Sequence, residues 1–309
     1  MARRRKGDAV SGWICLDKPS NLGSTQAVGR VRRLFNAQKA GHAGTLDPLA
    51  TGILPIALGE ATKTVPFLMD ADKAYRFTVR WGVETATFDR EGAVTASSDV
   101  RPHAAAIAEA LKAFVGEISQ VPPNYSAVKV DGARAYDLAR EGVEMDLQPR
   151  VVTIHDARLV NTPDPDHAVI EIECGKGAYV RALARDLAAA LGTRAHVSAL
   201  RRTRVGGFGT ANAITLEKLE ELCQEGPPLE VLLPVETALD DIPELAVTTE
   251  DAFRLTQGRS IVLLPRQVET LKARLGASRV VSAREGSRMV ALCEMRAGRL
   301  NPTRVFHLT

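Results

Sequence analysis

The sequence of 309 residues predicts an α+β fold, with a mixed, largely antiparallel sheet flanked by helices and a small β-rich domain after it. Segments with strand and helix periodicity are interspersed, without the regular β-α-β alternation of a doubly wound fold. After a proline-rich stretch, short strand-like pieces contain eleven basic and seven acidic residues. We therefore predict a large domain over 1–240 and a small basic domain over 241–309.

The secondary-structure elements follow from periodicity and from turn residues. The clearest strand is 75–83, where apolar residues alternate with Arg76, Thr78 and Arg80. Other strands are predicted at 12–16, 53–58, 151–159, 168–174, 279–282 and 289–293. Helices are predicted at 24–35, with Ser24 as N-cap, and at 104–115, 133–140, 179–191 and 216–222.

Composition and spacing exclude several classes of protein. No run approaches the roughly 18 apolar residues of a membrane span, and the basic N-terminal residues lead into polar ones. We therefore expect a cytoplasmic protein without membrane association. The four cysteines and six histidines lack the spacing of a zinc site or a disulfide framework. We expect no metal and no cofactor.

The charge is unevenly distributed, although its net value is only +3. Basic clusters occur at 3–6, 30–33 and 201–204, whereas 217–244 is strongly acidic. A basic face offset by an acidic segment suits the neutralisation of phosphates in a nucleic acid. A solvated surface with chance clusters explains the same distribution equally well.

Polar loops adjoin the predicted strands, and sites commonly lie on such loops. The loops are 17–19, 41–52, 122–132 and 175–181. Asp47 lies in one of them, but Asp-Pro is a common turn dipeptide, so on this loop alone a structural role is the better explanation. Arg181, Tyr75 and His42 each have an ordinary structural explanation too.

Several separated motifs change this weighting when they are taken together. They are Leu16-Asp-Lys-Pro19 with Ser24-Thr25, Gly41-His-Ala-Gly-Thr-Leu-Asp-Pro-Leu-Ala-Thr-Gly52, Lys73-Ala-Tyr75, Pro122-Pro-Asn-Tyr-Ser-Ala-Val-Lys129 with Gly132 and Tyr136, Cys174-Gly-Lys-Gly-Ala-Tyr-Val-Arg181, and Ala195-His-Val-Ser-Ala-Leu-Arg-Arg-Thr-Arg-Val205. In this order they resemble the TruB family of pseudouridine synthases. The segment after 241 resembles a PUA-type RNA-binding domain more loosely.

The resemblance implies a pseudouridine synthase catalytic domain with Asp47 as its essential aspartate. It also implies that Tyr75 stacks on a flipped base, that Leu200 packs beside the base, and that His42 fills the space the nucleotide leaves. Tyr75 is in addition a candidate to handle the C5 proton. We expect Arg181 to pair with Asp47 in a bidentate manner and to lower its pKa relative to an unpaired buried carboxyl. Tyr179 would line the same pocket.

The chain departs from the family pattern at Thr85-Ala-Thr-Phe-Asp89, where relatives often carry Thr-Asp-Thr followed by another acid. Only the second acid, Asp89, is present. A role for the first acid therefore does not transfer to this chain.

The resemblance further implies tRNA as partner, with uridine 55 of the T loop as the target. We expect no obligatory protein partner and a monomer. Candidates for contacts with the RNA backbone are Lys18, Arg201, Arg202 and Arg204. Two alternatives stay open: a guide-dependent synthase of a ribonucleoprotein, which the long 86–120 insertion disfavours, and a tRNA-folding protein with incidental catalysis.

Overall fold

The computed structural model describes residues 7–126, 129–130, 133–134, 143, 145–275 and 279–308. The strands are β1 Gly12–Lys18, β2 Ala40–His42, β3 Thr51–Leu58, β4 Lys73–Trp81, β5 Val83–Thr85, β6 Val94–Ser97, β7 Gly116–Gln120, β8 Lys129–Val130, β9 Ala133–Arg134, β10 Arg150–Asp164, β11 His167–Cys174, β12 Ala195–Val205, β13 Phe208–Gly209, β14 Ile214–Thr215, β15 Glu244–Ala246, β16 Ile261–Val262, β17 Val280–Glu285, β18 Arg288–Arg296 and β19 Arg299–Val305. The α-helices are α1 Ser24–Leu34, α2 Val65–Asp70, α3 Ala104–Lys112, α4 Val180–Ala190, α5 Leu216–Leu222, α6 Thr249–Thr256 and α7 Pro265–Arg274.

A mixed sheet forms the centre of the fold. Its strands follow the order β14-β1-β3-β12-β4-β11-β10-β7, with β2 paired to β3 and β13 paired to β12. The β1–β14 and β3–β12 pairs are parallel, and the other pairs are antiparallel. The predicted α+β class with a largely antiparallel sheet is confirmed.

One face of this sheet carries the main core. Alternate residues of β4, including Phe77 and Val79, point into it, as the strand periodicity predicts. Helices α1, α3 and α4 cover the face with apolar side chains such as Val31, Ile107 and Leu183. Helix α4 ends before Gly192, whose φ of +67° suits the end of a helix.

The opposite face of β1 and β3 packs against the C-terminal region. A second sheet in the order β15-β17-β18-β19-β16 contains only strands after residue 243. Leu292 of this sheet and Phe306, which follows β19, share an apolar cluster with Trp13 and Phe208 of the first part of the chain. The boundary between 240 and 241 stays a prediction.

Some predicted bounds change. The predicted loop 41–52 is shorter, because its first two residues belong to β2 and its last two to β3. Of the predicted helix over 133–140, Ala133–Arg134 instead pairs with Lys129–Val130 as a strand, and 135–140 lies outside the described residues. Within the described ranges, no helix is long and apolar enough to cross a membrane.

Candidate active site

The loop that carries Asp47 joins β2 to β3 and is held on both sides of that residue. Upstream, Ser24 Oγ donates to the carbonyl of Leu46 and accepts from its N–H, both at 2.8 Å. Downstream, the ammonium of Lys18 donates to the carbonyl of Pro48 at 3.2 Å. Ser24 begins α1 and Lys18 ends β1, so the ends of these two elements hold the loop in position.

Glycines allow the loop to approach strand β12 closely. Gly52 has a φ of +99°, and a Cβ there would lie 2.1 Å from the carbonyl oxygen of Arg202. Gly44 has a φ of +92°, and its carbonyl accepts a hydrogen bond of 3.0 Å from Arg202 Nη2. A side chain at either position would be strained. These two glycines of the motif therefore allow backbone conformations and a close approach to β12 that other residues would not.

Arg181, in the first turn of α4, is shared between two carboxylates. Its Nη2 lies 2.9 Å from Asp47 Oδ2, and its Nη1 lies 3.4 Å from Asp89 Oδ2. The same nitrogens donate to the carbonyls of Tyr125 at 2.8 Å and Thr87 at 3.0 Å. Because each nitrogen faces a different carboxylate, the guanidinium does not fork onto Asp47. This corrects the bidentate geometry expected from the sequence.

A pocket of about 250 Å³ opens above this pair. Pockets that bury drug-sized ligands usually hold roughly 300–1,000 Å³, so this one suits a smaller group such as a single base. It is lined by Gly44, Thr45, Leu46, Asp47, Met69, Lys73, Tyr75, Ser126, Gly177, Ala178, Tyr179, Val180, Arg181, Leu200 and Arg202. Residues from the loop 43–50, the 122–126 and 175–179 segments and strands β4 and β12 meet there.

Two opposing effects act on the carboxyl of Asp47. Burial raises its pKa, the Arg181 guanidinium lowers it, and the neighbouring Asp89 raises it again; the net pKa lies above the ordinary value. The side chain is nevertheless 36% exposed, because its open edge faces the pocket while protein surrounds it on the other sides. A ligand that fills the pocket would remove this remaining water and strengthen both effects.

Tyr75 and Leu200 supply apolar surface to the pocket from adjacent strands. The register of β4 and β12 pairs Tyr75 with Arg202 and Phe77 with Leu200. Tyr75 is 9% exposed and Leu200 is 8% exposed. Burial raises the pKa of the Tyr75 phenol, and the neighbouring Arg202 guanidinium opposes that rise. The phenol therefore keeps its proton at neutral pH.

Two of the four cations expected to contact RNA point inward instead. Lys18 is fully buried, and its ammonium also donates to the carbonyls of Pro19 at 2.9 Å and Leu22 at 2.7 Å. Burial lowers the pKa of Lys18 to about 8. Arg202 is 1% exposed and donates to Ile53 and Gly44 carbonyls. Both side chains hold backbone, which corrects the expectation of phosphate contacts for these two residues.

Arg201 and Arg204 reach the surface, and each has an acidic partner. Arg201 forms a two-bond pair with Asp17, at 2.9 and 2.7 Å, and Arg204 lies 3.2 Å from Glu173. Both arginine side chains are 38% exposed. A phosphate could therefore reach either guanidinium, but it would compete with a carboxylate for it.

Tyr179 lines the pocket, whereas His42 does not. Tyr179 precedes α4, lines the pocket and has a phenol whose pKa burial raises. His42 ends β2 opposite Ile56 and lies outside the pocket lining. Its expected role, to fill the space that a flipped nucleotide leaves, stays a prediction.

Sequence reasoning did not assign Asp89 or Gln120 to the site. Asp89 is 3% exposed, and its Oδ1 accepts from Thr87 Oγ at 2.5 Å and from the Glu91 N–H at 3.0 Å. The acid retained in Thr85-Ala-Thr-Phe-Asp89 was the available signal for it. Gln120, 2% exposed, bonds both the N–H and the carbonyl of Tyr179, at 2.8 and 3.2 Å. No motif pointed to Gln120.

The part of the chain that the structure describes contains no cluster of three or more His, Cys, Asp or Glu side chains able to hold a metal ion. The site consists instead of one open carboxylate, buried cations, aromatic side chains and hydroxyls. Such a set can hold a flat base, keep an anion oriented beside it and exclude water.

Comparison with known proteins identifies the family of this arrangement. Residues 32–180 match the TruB family pseudouridylate synthase N-terminal domain, and 181–240 match the tRNA pseudouridylate synthase B C-terminal domain. The tRNA pseudouridine synthase B of Caulobacter vibrioides is 71% identical over 310 residues, which cover 100% of both chains. That of Bradyrhizobium diazoefficiens is 55% identical over 314 residues, covering 100% of this chain and 89% of the relative.

Solved structures agree with the fold. A chain from the crystal structure of a Cbf5-Nop10-Gar1 complex superposes with a TM-score of 0.72 at 25% identity, covering 96% of this chain and 85% of the other. A chain from an H/ACA RNP bound to a substrate RNA superposes with a TM-score of 0.71 at 22% identity, covering 100% and 92%. With both family domains matched over residues 32–240 and full-length relatives above 50% identity, the chain belongs to the TruB family of pseudouridylate synthases and is an isomerase.

Proposed function

We propose that this chain converts uridine to pseudouridine in tRNA, at uridine 55 of the T loop, with Asp47 as the catalytic carboxylate. The relatives named tRNA pseudouridine synthase B support tRNA as the substrate class. One observation carries the role of Asp47. Among the residues described, it is the one carboxylate that lines the pocket, and it lies 2.9 Å from a buried arginine.

The reaction conserves atoms and electrons. The bond from N1 of uracil to C1′ of ribose breaks, the base rotates, and a bond from C5 to C1′ forms. The proton on C5 leaves to solvent and N1 gains a proton. No oxidant or cofactor is needed for this balance. Attack of Asp47 on C6, attack on C1′ and removal of a ribose proton all require the ionised carboxylate beside the base.

The residues around Asp47 support this chemistry through position and charge. A base must leave its stack before reaction, which costs a few kcal/mol, and stacking on an aromatic ring returns about 1–3 kcal/mol. Tyr75 supplies such a ring, and Leu200 an apolar neighbour. Since the Tyr75 phenol stays protonated, stacking suits it better than removal of the C5 proton. Arg181 favours the ionised form of Asp47 and orients it.

Replacement of the carboxylate tests the proposal. Asp47→Asn keeps the shape of the side chain but removes its charge, so turnover should be abolished while tRNA affinity stays within about tenfold. Release of tritium from tRNA labelled at C5 of uridine measures turnover, and filter binding measures affinity. Asp99→Asn, an exposed aspartate outside the pocket, is the matched control and should be fully active. Retention of even one per cent of activity by Asp47→Asn would reject the assignment.

The likeness to a chain of the Cbf5-Nop10-Gar1 complex favours one alternative, a synthase that acts only within an assembly. An activity assay on a T-arm hairpin without added protein or guide RNA distinguishes the stand-alone enzyme from the assembly-dependent one. Full activity of the isolated chain on this hairpin supports a stand-alone enzyme, whereas activity that requires added protein or guide RNA supports the assembly.

A further inference from the structure

The polar groups of the pocket differ in how fully the protein itself uses them. Arg181 is engaged by two carboxylates and two carbonyls, and Arg202 by two carbonyls. Lys73 donates to the carbonyls of Met69 and Ala71. Thr45 is exposed at the mouth. The buried cations are therefore committed to the protein, and little of their capacity remains to read the edge of a base.

The hydroxyl of Ser126 is an exception to this pattern. Ser126 is 4% exposed and lines the pocket. It lies close enough to the Tyr179 phenol to lower its pKa, although burial, the larger effect, raises it. Yet no described residue meets Ser126 Oγ with hydrogen-bonding geometry. A buried hydroxyl without a partner is destabilising, so a ligand that supplies a partner would be favoured.

The protein holds the residues just before Ser126 in place. Gln120 clamps the backbone of Tyr179 with two hydrogen bonds. Arg185 donates to the carbonyl of Val121 at 3.1 Å, and Arg181 to that of Tyr125, the residue before Ser126. Helix α4 therefore anchors both the catalytic pair and this segment. A contact at Ser126 is positioned by the same element that positions Asp47.

We propose that Ser126 binds the edge of the target uracil by donating its hydroxyl proton to an exocyclic oxygen, O2 or O4, of the base. This inference rests on the proposed function, because it takes a flipped uridine as the occupant of the pocket. Uracil presents oxygen acceptors on both sides of its N3–H, whereas cytosine presents an amino group in place of O4. Because a serine hydroxyl can also accept from that amino group, the contact would orient uracil in the pocket more than it would exclude cytosine.

Sulfur substitution of the substrate combined with substitution of Ser126 tests the contact. Sulfur is a weaker acceptor than oxygen, so 2-thiouridine and 4-thiouridine at the target position of a T-arm hairpin weaken one contact each. Wild type, Ser126→Ala and the near-isosteric Ser126→Cys are compared on all three hairpins. Ser119→Ala, on the exposed side of β7, is the matched control. Nucleoside chromatography gives single-turnover rates and half-saturation concentrations.

We expect wild type and Ser119→Ala to react roughly threefold to tenfold more slowly with one of the two thio hairpins, the size of one hydrogen bond. Both Ser126 variants should react more slowly with uridine by a similar factor and should lose sensitivity to that same thio substitution. The sulfur position that shows this coupling identifies the oxygen.

The Ser126 contact would be overturned if the Ser126 substitutions and the sulfur substitutions slowed the reaction by independent factors for both thio hairpins. The proposed function would stay intact in that case. Failure of wild type to isomerise the uridine hairpin would instead remove the proposed function itself. Thermal denaturation of each variant separates loss of the contact from loss of the fold, because a purely structural role lowers all three rates equally.

Discussion

At the scale of single residues, the site is governed by the balance around the carboxyl of Asp47. Burial favours the neutral acid, whereas Arg181 favours the carboxylate, and Asp89 competes for the same guanidinium. The net effect is a raised pKa. The protein therefore holds a carboxylate that is less stable as an anion than an ordinary surface aspartate. A positively polarised atom beside Asp47 would therefore stabilise the anion more than it would stabilise the anion of a surface aspartate.

The pH dependence of turnover follows from this raised pKa. The active carboxylate is lost as the pH falls through the pKa, so the acid limb should lie above the ordinary aspartate value of about 3.9. Asp89→Asn removes a charge that raises the pKa, and its limb should move to lower pH. Arg181→Gln removes the stabilising cation, and its limb should move to higher pH.

Single-turnover rates between pH 4 and 9, with enzyme in excess over tRNA, measure these limbs. The opposite directions for the two variants serve as mutual controls. Identical limbs in all three proteins would show that another group limits the rate. Both variants should also be slower at the optimum, because each disrupts the orientation of Asp47.

At the scale of elements, the site depends on buried cations that hold loops rather than bind RNA. Lys18 and Arg202 satisfy carbonyls on both sides of the Asp47 loop. Without Arg202 the Gly44 carbonyl would lose its side-chain donor, at a cost of about 1–3 kcal/mol, whereas without Lys18 the Pro48 carbonyl would keep the Asn21 N–H. The glycines at 44 and 52 bring these carbonyls within reach.

Lys18→Met tests this anchoring role. The variant keeps an apolar stem but removes the donor of the Leu22 carbonyl and one of the two donors of the Pro48 carbonyl, so we expect roughly tenfold slower turnover and a lower melting temperature. The salt dependence of tRNA binding should not change. A reduced salt slope with normal turnover would mean that Lys18 contacts phosphate after all.

Lys18 also makes a predictable contribution to stability against pH. Its pKa falls from 10.5 in the unfolded chain to about 8 in the fold. Between these values the unfolded chain binds more protons, so the contribution to the free energy of unfolding rises with pH over that window. Denaturant titrations at pH 7.5, 9 and 10.5 should show this rise in wild type relative to Lys18→Met.

At the scale of the whole molecule, the two faces of the central sheet are covered by different parts of the chain. Helices cover one face, and the C-terminal region covers part of the other through Leu292 and Phe306. Polar contacts reinforce this second interface: Lys63 donates to the carbonyl of Val305 at 2.6 Å, and the His307 N–H donates to Glu60 Oε2 at 2.9 Å. We expect the two parts to unfold cooperatively.

Phe306→Ala tests this cooperation. Phe306 is 3% exposed in the shared cluster, and its truncation should cost about 3–5 kcal/mol and lower the melting temperature of the whole chain. Phe253→Ala, whose ring is 66% exposed, is the matched control and should leave it unchanged. Scanning calorimetry gives both values. A second, separate transition that alone shifts would show that the C-terminal sheet unfolds independently.

The affinity for tRNA should depend steeply on salt, because phosphate contacts release counterions. Arg204→Gln should reduce the slope of log affinity against log salt by roughly 0.9, the value for one phosphate contact. Lys112→Gln, 73% exposed on α3, is the control and should not change the slope. Binding measured from 50 to 200 mM salt decides this. An equal slope for all three proteins would exclude Arg204 from the interface.

Much of the fold was predictable because it is recorded in local periodicity. Strict alternation predicted β4, helical spacing predicted α1 and α4, and the order of elements excluded a doubly wound sheet. The ends of the Asp47 loop were less predictable, since short strands such as β2 form by pairing with a distant partner. Periodicity carries no information about such pairing.

The sequence by itself determined the family, the class of fold and the candidate carboxylate Asp47, because these lie in contiguous motifs and local patterns. Only the tertiary structure decided that Arg181 is shared with Asp89, that Lys18 and Arg202 turn inward, and that Ser126 stands in the pocket. The direction of a side chain depends on which distant backbone groups need a donor. That demand arises only when strands and loops far apart in the chain are packed together.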